Sequence, residues 1–165
     1  HFSNSVLILN NGYYKLECDD FYVDFLDFEN RVKKLKEIDE SNVMEALETE
    51  KIFTGYLLGD KAYCWSITEI EKYSNCYLNF AQKLGKYLFS KGDINESSYI
   101  LKKILKFDPF NEEANCLIIR IFAAQRNKKS LVKNYEDYVK NIKREFGVDP
   151  EAAIVDLYEK LVKSF

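Results

Sequence analysis

The residue types that do covalent or metal chemistry are thinly spread in this chain. Its single histidine is His1, so no internal imidazole is present to activate a nucleophile, move a proton or complete a zinc site. Cys18, Cys64, Cys76 and Cys116 include no Cys-x-x-Cys pair. With no basic start and no long apolar stretch in "HFSNSVLILNNGYY", no secretory signal is visible, and the cysteines read as separate thiols of a reducing compartment rather than as disulfides. The six glycines stand singly, not in a phosphate-cradling loop. Acidic pairs such as Asp19-Asp20 and Glu112-Glu113 suit loops and first helical turns, where carboxylates complement the backbone dipole. No catalytic, cofactor-binding or metal-ligating residue is assigned. The expectation is a protein that is not an enzyme and takes no cofactor and no small-molecule substrate.

What remains is recognition by charge and aromatic surface. The net charge is −3, but it is unevenly placed. Residues 17–60 hold thirteen acidic and five basic residues, whereas residues 120–144 hold eight basic and two acidic ones. The basic block contains Arg120, Arg126, Lys128, Lys129, Lys133, Lys140, Lys143 and Arg144. Such a stripe can attract phosphate backbones or an acidic protein, and it can equally be the wet face of a helix. Twelve Tyr and twelve Phe give a high aromatic content. Tyr73, Tyr77 and Tyr87 fall at helical spacing, which reads first as core and second as a groove lining. Trp65, in a glycine-bounded loop, reads as a plug between helices.

These residues need a scaffold, and the pattern supplies a helical one. At 47% hydrophobic and 31% charged residues the balance is that of an ordinary globular domain. No apolar run approaches the ~20 residues that span a bilayer, so no membrane contact is expected. The one β signal is "SVLILNNGYYKLE", two apolar runs around Asn10-Asn11-Gly12, which predicts a hairpin. From Asp24 the period lengthens. Phe25, Phe28, Val32, Leu35 and Ile38 predict a first helix, and Val43, Ala46, Leu47, Ile52 and Phe53 a shorter second one. A long helix is expected over Ile70 to Leu88, with Ser66 or Thr68 as its cap and Gly92 beyond its end. Further helices carry Ile94 to Leu105, Ala114 to Phe122 (with Leu117 and Phe122 on the core stripe), Leu131 to Phe146, and Ile154 to Leu161.

The chain has two prolines, and aspartate precedes both, at Asp108-Pro109 and Asp149-Pro150. Proline bars helix geometry from the residue before it, so each pair ends one helix and opens the way to the next. "AQKLGKYLFSKGD" aligns with "ANCLIIRIFAAQRN" at an offset of 33, placing Ala81 over Ala114 and Leu84 over Leu117. A helix-turn-helix unit near 34 residues is the tetratricopeptide period, in which hairpins bury a shared core only by stacking. The two Asp-Pro pairs lie 41 residues apart, which predicts a lengthened second hairpin. The fold class is thus all-α, with tetratricopeptide-like stacked helical hairpins, about seven helices, and a short N-terminal β-hairpin.

The segments "YVDFLDFENRV", "GYLLGD" followed by Trp65 and Glu69, "SKGDINESSYILKKILKFDPFNEEANCLIIRIFAA" and "YVKNIKREFGVDPEAAIVDLYEKL" occur in an order that resembles a known family. They look like the bacterial transcriptional activator domain, found in antibiotic-regulatory-protein-type activators and in some response regulators. The resemblance covers about residues 22–162, departing at Glu151-Ala152-Ala153, where the family often has a Ser-Pro-Glu-like helix start. It implies an all-helical regulatory domain over residues 22–165, acting in the cytoplasm by self-association or by contact with transcription machinery. It also implies that residues 1–20 are the wing hairpin closing a winged-helix domain, with promoter DNA bound through a domain upstream. Asn10, Asn11 and Lys15 would then be backbone contacts at the wing. Lys129, Lys133, Lys140 and Arg144 are the residues expected to form the partner surface. The alternative is a stand-alone tetratricopeptide-like adaptor unrelated to DNA.

Overall fold

The computed structural model describes residues 6–17, 22–59 and 63–165. Two strands, β1 (Val6–Asn10) and β2 (Tyr13–Glu17), pair antiparallel, with Leu9 opposite Tyr14 and Asn10 opposite Tyr13. Asn11 and Gly12 turn the chain at φ 48° and 81°, left-handed values that a two-residue hairpin loop requires and that Asn and Gly accept at least cost. Seven helices follow among the described residues: α1 (Asp24–Lys34), α2 (Val43–Ile52), α3 (Ile67–Lys91), α4 (Ile94–Phe107), α5 (Glu112–Ala124), α6 (Lys128–Phe146) and α7 (Ala152–Lys163). The expected all-α stack with a short hairpin is what the chain forms.

Helix ends follow local chemistry. Gly92 closes α3 at φ 83°, and Asp93 accepts a hydrogen bond from the Glu96 amide at 3.4 Å to start α4. At the first Asp-Pro pair, Asp108 leaves helix geometry and Asn111 caps α5 by accepting from the Ala114 amide at 3.0 Å. Asn127 caps α6 in the same way from Ser130, also at 3.0 Å. α6 runs for nineteen residues against fourteen for α4, so most of the extra length between the Asp-Pro pairs is helix, and Gly147-Val148 supply the rest.

Consecutive helices joined by these short links pack as neighbours, α3 on α4, α4 on α5 and α5 on α6, while α7 covers α5 and α6. α1 and α2 pack on each other and on α3. Phe28, Phe53, Tyr73, Tyr77 and Phe80 form an aromatic knot beneath α1 and α2, with Phe53 and Tyr77 stacked at 3.6 Å between ring centres. A second core of Ile119, Leu131, Tyr138, Ile142 and Ile154 joins α5, α6 and α7.

Several expectations need correction. α1 ends at Lys34, because Leu35 turns out of helix geometry at ψ 59°, so Ile38 lies in the connection. α3 begins three residues before Ile70, and Ser66 gives it no side-chain cap. The Ser66 hydroxyl instead closes a short 3₁₀ turn, Cys64–Ser66, by bonding Tyr63 at 2.9 Å. That turn buries Ser66 and throws Trp65 outward: it is 75% exposed and stacks on Tyr63 rather than plugging the helices. In α5 the fully buried positions are Ala114, Ile118, Ile119 and Ile121, while Leu117 and Phe122 are only half-buried. Phe146 ends the α6 pattern exposed, its ring edge against Phe110.

Candidate partner-binding surface

α6 is strongly two-sided. Leu131, Tyr138 and Ile142 recur at seven and four residues and are buried against α5 and α7. Tyr135 adds to this side by stacking on Tyr158 of α7 at 3.8 Å. At 3.6 residues per turn the opposite side carries Lys129, Lys133 and Lys140, with Arg144 just off it. All four are exposed. Arg144 pairs with its neighbour Glu145 at 2.7 Å, and Lys143 with Asp149 at 2.9 Å. Lys129, Lys133 and Lys140 make no ion pair among the described residues. The row is interrupted by exposed Glu136 and Asp137.

The hairpin turn offers less. Asn11 is exposed at the tip; Asn10 ends β1, and Lys15 lies opposite Ile8 in the ribbon. The structure thus brings Asn10 and Asn11 to the turn and leaves Lys15 along the strand.

The sequence reading missed the charges that are not on the surface. Glu50 of α2 is 3% exposed and accepts hydrogen bonds from the Tyr77 hydroxyl at 3.0 Å and from Lys103 Nζ at 2.7 Å. Lys103 also donates to the Phe53 carbonyl at 2.7 Å and lies over the Tyr77 ring. Burial, then the Glu50 carboxylate, pushes the Tyr77 hydroxyl far above the ordinary tyrosine range. Glu29 of α1, also buried, pairs with Lys72 of α3 at 3.1 Å. One signal was available: Glu50 continues the Ala46–Phe53 phase, and Lys103 the Ile100–Phe107 phase, so an acid and a base both fall on apolar stripes. Glu113 of α5 meets Gln82 and Lys86 of α3, joining the first helices of the two hairpins.

The structure presents a stack of helical hairpins in which the buried carboxylates Glu29 and Glu50 pair with lysines of neighbouring helices, and α6 carries into solvent a basic row with no ion pair among the described residues for Lys129, Lys133 and Lys140. That defines the class, an all-α stack of tetratricopeptide-like helical hairpins. The family model for the bacterial transcriptional activator domain matches residues 23–162, and the chain belongs to that family. No curated protein matches the chain. Among the described residues no helix is long and apolar enough to cross a membrane.

Proposed function

We propose that residues 22–165 form the regulatory contact domain of a cytoplasmic bacterial transcription activator, of the antibiotic-regulatory or response-regulator kind. The domain passes on regulation by self-association or by touching transcription machinery. The observation that carries this reading is the unpaired row Lys129, Lys133 and Lys140 on the solvent side of α6, in a chain of this family. Lysines with no ion pair among the described residues steer an acidic surface toward the helix, raising the rate of encounter more than the strength of the fold. Arg144 lies at the edge of that row. Promoter DNA is bound by a winged-helix domain upstream, of which residues 1–20 are the wing, and Asn10, Asn11 and Lys15 meet the phosphate backbone without reading sequence.

The test uses the longer natural protein at its promoter. Deleting residues 22–165 is expected to leave promoter occupancy intact and abolish activation of a reporter. Failure of the intact protein to occupy any promoter would instead favour the stand-alone adaptor. The 165-residue chain itself is expected to show no sequence-selective DNA binding; weak binding by the basic block would fall steeply with salt.

A further inference from the structure

A cleft opens between the start of α1 and the connection from α2 to α3. Its volume is about 650 Å³, and Tyr22, Phe25, Leu26, Tyr56, Leu58 and Tyr73 line it. Four of these are substantially exposed, Tyr22 at 69%, Tyr56 at 48%, Leu26 at 47% and Leu58 at 43%. Apolar side chains gathered this way around one concavity mark a contact site rather than scattered surface residues. A second apolar exposure lies nearby in the chain. Leu9 and Tyr14 are direct cross-strand partners in the hairpin, 62% and 73% exposed, and no helix contacts the ribbon among the described elements. A two-stranded ribbon is marginal in water unless its apolar side is covered.

Chain connectivity links the two. Only residues 18–21 separate Glu17 from Tyr22, and Tyr22 is part of the cleft wall. Five Cα–Cα steps reach at most about 17 Å. A connection that short makes an encounter between ribbon and cleft intramolecular, ahead of any free partner. We propose that the Leu9–Tyr14 pair docks into this cleft of its own chain. Docking fixes the ribbon, and whatever precedes it, against α1 and the α2–α3 connection. This goes beyond the function proposed above and holds whether or not the ribbon is a wing.

Disulfide trapping in the 165-residue chain tests it, with the native cysteines replaced by serine. Tyr14→Cys combined with Leu58→Cys is expected to cross-link within one chain, on the order of tenfold faster than Tyr14→Cys with Lys163→Cys on distant α7. Equal rates would overturn the proposal, and so would cross-linked dimers as the main product, since a second copy would then fill the cleft. Hydrogen exchange gives an arm that keeps the native cysteines. Leu9→Lys with Tyr14→Glu is expected to speed exchange of the amides at 54–58 while the helical melt stays unchanged. Unaltered exchange there would also overturn it.

Discussion

Lys103 and Glu50 show how one pair of residues fastens three helices. Glu50 is buried and Lys103 largely covered, and the carboxylate is tolerable only because the lysine is present, with Tyr77 and the Phe53 carbonyl taking up the remaining hydrogen bonds. Lys103→Met leaves a buried carboxylate without its cation and is expected to lower unfolding free energy by ~3–5 kcal/mol in urea titrations. Adding Glu50→Leu should recover much of that, but not all, because the Tyr77 hydroxyl and the Phe53 carbonyl stay unpaired. Glu112 acts in the opposite sense. Partial burial first, and the facing Glu151 carboxyl second, hold its pKa above the usual range. The fold therefore favours its protonated form. The stabilisation is full below the ordinary glutamate pKa of about 4.3 and is lost as pH rises through the raised value. Glu112→Gln, neutral at every pH, is expected to melt slightly higher than the parent at about pH 7 and level with it at about pH 4, as thermal scans would read. At this scale the sequence was legible where a residue type excludes chemistry, as with the missing internal histidine. It was misleading for Trp65, whose direction depends on which atom of the neighbouring Ser66 closes the turn.

At the scale of elements, α6 could be read almost whole, since its apolar phase is clean and Gly147 follows its last residue. α5 could not. Its segment "CLIIRIF" is apolar on nearly every side, so periodicity does not choose the buried face. Packing chooses it: α5 contacts α3, α4, α6 and α7, and Ile118, Ile119 and Ile121 take the enclosed positions. Ile121→Ala is accordingly expected to cost ~2–5 kcal/mol, and half-buried Leu117→Ala clearly less, in the same denaturant series. Equal losses would mean that α5 is rotated from the orientation described. Gly147 ends α6 at φ 67° with open space around it. Gly147→Ala should then cost about 1 kcal/mol through backbone strain alone, without a steric clash.

At the scale of the molecule, the stacked hairpins were legible because the Asp-Pro joints and the 33-residue offset are local signals that repeat. The cleft was not, since residues near 22, 56 and 73 meet only after α1, α2 and α3 have packed. The basic row lies between these cases: its exposure could be read from helical phase, and the lack of ion pairs for Lys129, Lys133 and Lys140 among the described residues required the structure. The most direct test of its role is the Lys129→Glu, Lys133→Glu, Lys140→Glu variant of the full-length protein, compared with the parent by reporter activation and sedimentation. Exposed charges contribute only ~0–1 kcal/mol per pair to a fold, so the melt should stay nearly unchanged. Activation should fall by about tenfold with promoter occupancy intact, and association should weaken most at low salt, where steering between charged surfaces is strongest. Activation and association both equal to the parent, in a variant that still folds, would contradict the account and leave the row as a solvated helix face.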